Sequence, residues 1–236
     1  MENLTNQTQE SSLLEGEFLD KKVQRRSFLK YAGAGAAGVA LVAAGCSKDD
    51  DVPVGISFGS GDVGILNFAY ALEQLEAAFY TQVIATPYSN MSAAEKALLT
   101  DIRDHEIAHR EFFKAAISGA GATPIEDLQV NFSTIDFNSR GSVLSTAQTF
   151  EDLGVSAYDG AGYLIKNPTY LLLAGKIVSV EARHAALIRE LLTTNSFLGD
   201  QVDASSVNVA RTPLEVLAIA APYIITQINP SSLPTS

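Results

Sequence analysis

The sequence predicts an all-α fold: a four-helix bundle of two antiparallel helix hairpins joined by one long crossover, with a short helix added near the C-terminus. Three observations carry that prediction. Apolar residues recur at intervals of three and four over four separate stretches, the period of a helix face. The joints within each pair of stretches are short, while the joint between the pairs runs from Ala120 to Gly141. Each apolar stripe also carries a carboxylate where an apolar side chain is expected.

The first helix is predicted over Gly61 to Ala85, where Leu66, Ala69, Tyr70, Ala77, Tyr80 and Ile84 share a face and Pro87 stops the pattern. Ser92-Ala93-Ala94-Glu95 is a capping box that opens the second helix. Its stripe of Leu98, Ile102, Glu106, His109, Phe113 and Ile117 runs to Gly119. A third stripe around Ser142 to Ile165 carries Leu144, Ala147, Glu151, Val155, Tyr158 and Gly162. Asn167-Pro168 reads as an N-cap followed by proline at the first helical position, opening a fourth stripe of Leu173, Ile177, Glu181, His184, Ile188 and Leu191. Thr212-Pro213-Leu214-Glu215 is a second capping box, for a short helix to about Pro222. The crossover holds the alternating Leu128, Val130, Phe132 and Ile135. Some 20 extended residues reach about 65 Å against about 36 Å for a helix of about 24, so the crossover can return along the bundle.

Hydrophobic residues make up 47% of the 236 and charged residues 18%, a composition that folds rather than stays disordered. The 16 Lys and Arg against 27 Asp and Glu give a net charge of −11, opposite in sign to a phosphate-binding surface, which excludes nucleic acid as a partner. A single cysteine, Cys46, excludes an intramolecular disulfide and any thiolate-held zinc or iron–sulfur site. A metal, if bound, must be held by histidines and carboxylates.

Residues 1–45 read as a signal peptide. Arg25-Arg26-Ser27-Phe28-Leu29-Lys30 precedes the 14 small and apolar residues from Ala32 to Gly45, too few for a membrane span, which takes roughly 20. The arginine-pair segment resembles the twin-arginine export signal, and Ala43-Ala44-Gly45-Cys46 resembles a lipobox, whose cysteine is acylated and becomes the first mature residue. These resemblances imply an exported lipoprotein of the bacterial cell envelope, anchored to the membrane through Cys46. Residues 46–60 then form an acidic tether that includes Asp49, Asp50 and Asp51, residues 61–225 the bundle, and residues 226–236 a loose tail. Removing residues 1–45 takes away five basic and five acidic side chains, so the mature charge stays −11.

The carboxylates on the stripes form a set. Glu106 and His109 are three apart, hence one turn apart on one helix face, and Glu181 and His184 repeat the spacing on the fourth helix. The first and third helices each offer one stripe glutamate, Glu73 and Glu151, each seven residues before a tyrosine, Tyr80 and Tyr158. Glu73 precedes Glu106 by 33 residues and Glu151 precedes Glu181 by 30, an internal duplication in spacing. One glutamate from each of two helices plus Glu-x-x-His from each of the other two is the donor set of di-metal carboxylate bundles. Four ionised carboxylates in an apolar core each cost several kcal/mol in desolvation and repel one another, which two divalent cations offset. Oxygen-rich ligation with one imidazole per ion suits iron or manganese. Tyr80 and Tyr158 are placed to donate to a ligand carboxylate and orient it. Glu76, three residues after Glu73 and somewhat off the stripe, bridges, competes as the ligand, or is solvated; His105, about 100° round from Glu106, reads as a boundary histidine.

The runs Leu66 to Glu73, Arg103 to His109, Phe150 to Tyr158 and Ser179 to Ala186 resemble the ferritin-like domain family that includes desiccation-related proteins, over roughly residues 58–225. The resemblance implies a ferritin-like four-helix bundle with a dinuclear centre, related more distantly to rubrerythrin, bacterioferritin and manganese catalase. It implies a di-iron-type centre, two Fe ions or Mn per chain, held by Glu73, Glu106, His109, Glu151, Glu181 and His184, and no one settled reaction; the leading reading is an oxidoreductase that takes O2 or H2O2 between the two metals. Ferrous-iron oxidation or peroxide removal would follow. The alternatives are a non-enzymatic stress protein of the envelope with a structural metal site, and peroxide disproportionation of the manganese-catalase type. The chain lacks the cysteine module rubrerythrins use for electron transfer, and a lipid-tethered N-terminus disfavours a storage cage while leaving a homodimer open.

Overall fold

The computed structural model describes residues 54–235; the signal peptide, Cys46 and the tether up to residue 53 lie outside the described residues. The bundle is built from α1 (Gly61–Ala85), α2 (Ala93–Gly119), α3 (Arg140–Gly162) and α4 (Pro168–Leu192), followed by the short α5 (Pro213–Ala220) and a 3₁₀ turn over Ala221–Tyr223. α1 packs along α2 and α3 along α4, two hairpins joined by the long crossover. None of the described helices is long and apolar enough to cross a membrane.

The helix starts follow local chemistry. The Ser92 hydroxyl accepts from the Glu95 amide at 3.1 Å, and the Asn167 side chain accepts from the Thr169 amide at 2.9 Å. Only the serine half of the box at Ser92 forms. Glu95 turns instead to the Arg140 guanidinium, 2.7 Å away, and so ties α2 to the start of α3. At α5 both halves of the box are made. α1 has no side-chain cap; the Asp62 carboxylate in its first turn accepts from the backbone of Lys166 and Asn167, both at 2.8 Å, pinning the α3–α4 joint to α1.

α1 is buried around nearly its whole circumference, beyond the single stripe its periodicity marks. The cause is the crossover, which lies over it. The Asn67 carbonyl accepts from the Ile125 amide at 3.0 Å and the Gln74 carbonyl from the Leu128 amide at 2.7 Å, so two buried amides satisfy the loop backbone that covers them. Ile125 and Ile135 enter the core.

The segments flanking the bundle differ from the expectation of a tether through residue 60 and a loose tail from 226. Ile56–Ser57 (β1) pairs in parallel with Ile228–Asn229 (β2), Phe58 is fully buried, and Leu233 packs inside. Two-residue strands are too short for an alternation to register in sequence, yet they close both ends of the domain onto the bundle.

Candidate metal centre

Each helix of the bundle brings its stripe carboxylate to mid-core. Glu73, Glu106, Glu151 and Glu181 are wholly buried, His184 nearly so, and the His109 side chain is 12% exposed. His109 Nδ1 lies 2.7 Å from Glu181 Oε1 and 3.5 Å from both Glu73 Oε2 and Glu106 Oε2. His184 Nδ1 lies 2.8 Å from Glu106 Oε1 and 3.5 Å from both Glu151 Oε2 and Glu181 Oε2. The two sets are related by a local two-fold: each histidine stands nearest the glutamate of the opposite Glu-x-x-His pair.

Two groups of donors result, Glu73, Glu106, His109 and Glu181 in one and Glu106, Glu151, Glu181 and His184 in the other, each with atoms all within 4.8 Å of one another. Glu106 and Glu181 belong to both. Eight of these buried atoms have no hydrogen-bond partner among the described residues: Glu73 Oε2, both oxygens of Glu106 and of Glu181, Glu151 Oε2, and Nδ1 of each histidine. Their mutual approaches are 2.7 to 3.5 Å, ion pairs whenever the imidazoles are protonated. Buried polar atoms are almost always paired, so a cluster of eight such atoms around one centre is compatible with a metal site.

The remaining carboxylate oxygens are held across the hairpins. Tyr80 Oη on α1 donates to Glu151 Oε1 on α3 at 2.5 Å, and Tyr158 Oη on α3 donates to Glu73 Oε1 on α1. Each phenol thus fixes one oxygen and leaves the other facing the centre. Glu76 is buried, not solvated, with its carboxyl against Gly154 on α3; it belongs to neither donor group, whereas Glu73 belongs to one.

Two contacts were not legible from the stripes. His105 stacks on His184, ring centroids 5.1 Å apart, with its Nδ1 2.9 Å from His184 Nε2, the nitrogen that faces away from the carboxylates. The signal was present, since this histidine directly precedes a Glu-x-x-His pair, but its helical angle placed it at the boundary. Behind Glu151, the Arg189 guanidinium makes a bidentate pair with Asp152, at 2.9 and 2.5 Å, and reaches Asp200 at 2.9 Å, locking α3 to α4. Neither residue lies on a stripe that sequence periodicity marks.

The charges are strongly coupled. Burial raises the Glu73 carboxyl, with Glu181 adding to it, and burial with the four surrounding carboxylates holds Glu76 well above the usual range. Burial, then Glu181, also raises Glu106, while Glu151 is pushed up to about 7 by burial against the pull of His184. Burial opposes charge on His109, but Glu106, Glu181 and Glu73 outweigh it and push the imidazole up to about 12; His184 moves the same way among Glu106, Glu151 and Glu181. Glu181, against its burial, is held down at about 2 by the two imidazoles. The centre as a whole therefore favours proton uptake, and its imidazoles carry positive charge among the carboxylates.

A helical bundle that turns four glutamates and two histidines to one buried centre has the donor set that defines a class, the ferritin-like carboxylate bundles. The model of the family described as the ferritin-like domain matches residues 61–194, more than half of the chain, and the chain belongs to that family. The signal sequence of the twin-arginine translocation pathway matches residues 22–42, which marks the protein for export across a membrane. No curated protein matches the chain.

Proposed function

We propose that this exported ferritin-like protein binds two iron or manganese ions in its core and uses them to oxidise ferrous iron or to remove oxygen or peroxide at the cell envelope, where acylation of Cys46 anchors it. The observation that carries the reading is the set of eight orphaned donor atoms. Four carboxylates balance two divalent cations in charge, one imidazole falls to each ion, and the oxygen-rich remainder favours iron or manganese. Glu73 and His109 would hold one ion, Glu151 and His184 the other, with Glu106 and Glu181 shared between them. Such a pair supplies one-electron steps and Lewis acidity at oxygen.

The protein's own contribution is positional. Tyr80 and Tyr158 restrain one oxygen of each terminal glutamate, so the carboxylate swings about a fixed hydrogen bond. The aromatic packing of Phe79 with Phe132, Phe137 and Phe150 keeps water from one end of the centre. Loading displaces the protons held on His109 and His184, so binding is competitive with acid.

The test is metal analysis of protein matured in its own cell, followed by oxygen and peroxide consumption with and without ferrous iron. Two redox-active ions per chain and turnover of either oxidant are expected. Bound metal without turnover, together with a fall in thermal stability on chelation, would replace this reading with a structural metal site.

A further inference from the structure

An apolar pocket of about 20 Å³ lies between the hairpins on the His109 side of the centre, with Ala69, Phe113, Ala157, Tyr158 and Ala161 among its lining. Ala69 is one helical turn before Glu73, and Phe113 one turn after His109. Tyr158 forms part of the wall and is the one side chain between the pocket and the centre, its hydroxyl donating to Glu73. At the two-fold-related position the core is filled. Phe79 stands six residues after Glu73 as Ala157 stands six after Glu151, and Phe79 is fully buried among aromatic rings. The pocket exists because the duplicated site carries a methyl at one end and a phenyl at the other.

We propose that this pocket is a docking site for dioxygen that admits it to the centre in preference to hydrogen peroxide, an inference that rests on the dinuclear reading above. The volume is about that of one or two water-sized spheres, enough for a diatomic molecule and too small for an organic substrate. The one side-chain hydroxyl in the lining is already committed to Glu73. Hydrogen peroxide or a hydrated ferrous ion entering here gives up hydrogen bonds that nothing replaces, whereas dioxygen gives up none. Apolar cavities take up xenon, which reports on them without any metal chemistry.

Two experiments test the proposal. Crystals of the protein pressurised with xenon should show an anomalous peak between Phe113, Ala157 and Ala161. Ferrous-loaded protein should then be mixed rapidly with oxygen or with peroxide, comparing wild type with Ala157→Phe and Ala161→Val, which install the side chains found at the two-fold-related positions of α1. We expect the oxygen reaction to slow about tenfold or more while the peroxide reaction changes by less than about twofold. Ala161→Val keeps the test open if the larger substitution prevents folding. Equal slowing of both reactions, or no xenon in the wild type, overturns the proposal. Xenon uptake by a metal-loaded protein that reacts with neither oxidant overturns the redox reading and the delivery role with it, and leaves only a gas-accessible cavity.

Discussion

The α1–α2 and α3–α4 hairpins present the same buried polar side chains in the same order and differ at three positions beside them. Glu73 and Glu151, Tyr80 and Tyr158, Glu106 and Glu181, His109 and His184 repeat at intervals of 75 to 78 residues. Against that repetition, Glu76 is answered by Gly154, His105 by Val180, and Phe79 by Ala157. What is repeated is what a pair of cations requires. What is not repeated makes the two ends of the centre unequal: one histidine is backed by a second imidazole, one end holds an extra carboxyl, and one end has an open pocket.

The largest expected effect separates shared from terminal carboxylates. Glu181→Gln should lose both ions, because Glu181 belongs to both donor groups, whereas Glu73→Gln should retain about one of two. Elemental analysis of the purified variants measures this directly, and equal losses would remove the distinction between the groups.

The histidine difference comes next. His105→Ala should weaken metal binding about 10- to 100-fold, the usual cost of removing the partner that orients a ligand imidazole, while Val180→Ala should leave affinity unchanged. Competitive chelator titration distinguishes the two variants.

The pH response of ion-free protein is of intermediate size. Glu73, Glu76, Glu106 and Glu151 are raised by burial, Glu151 to about 7, and His109 and His184 by their carboxylates in spite of burial, so these groups bind more protons in the folded chain than in the unfolded one above about pH 4.5, while His105, lowered by burial, acts the other way only below about 6.5. Stability contributed by the raised imidazoles is complete below about 6.5 and is lost as pH rises towards their folded values; the raised carboxyls also lose stability as they ionise. Glu181, held at about 2, acts in the opposite direction only below its ordinary value of 4.5. Calorimetry should therefore show Tm of ion-free protein falling from pH 6 to pH 9, and added metal flattening that slope.

The smallest effect probes Glu76 and Gly154. A Cβ at Gly154 would lie 3.1 Å from Glu76 Oε1, so Gly154→Ala forfeits the gain of about 1 kcal/mol that a mid-helix alanine brings. In a Glu76→Ala background the same change should stabilise by about that amount, a coupling that denaturant melts of the four-member cycle can resolve.

The sequence made the bundle legible because each helix has a clear stop or start: Pro87 after α1, Ser92 before α2, Asn167-Pro168 before α4. The six donors stood out because a carboxylate on an apolar stripe violates the pattern that defines the stripe. Other features had no such contrast. Asp152 and Arg189 are buried only because each neutralises the other, which pairing across helices decides and periodicity does not. The strands at Ile56 and Ile228 are too short to show a period, and the all-round burial of α1 comes from a loop distant in sequence. The pocket at Ala157 comes from packing between the hairpins, and an alanine on a helix carries no sign of it in sequence.

The central claim is that the buried donors exist to hold two cations, and anomalous diffraction from protein matured in its own cell tests it most directly. Two peaks about 4 Å apart, one beside Glu73 and His109 and the other beside Glu151 and His184, with Glu106 and Glu181 between them, are the predicted result. A single peak, or protonated side chains closing on one another with no ion among them, would contradict it.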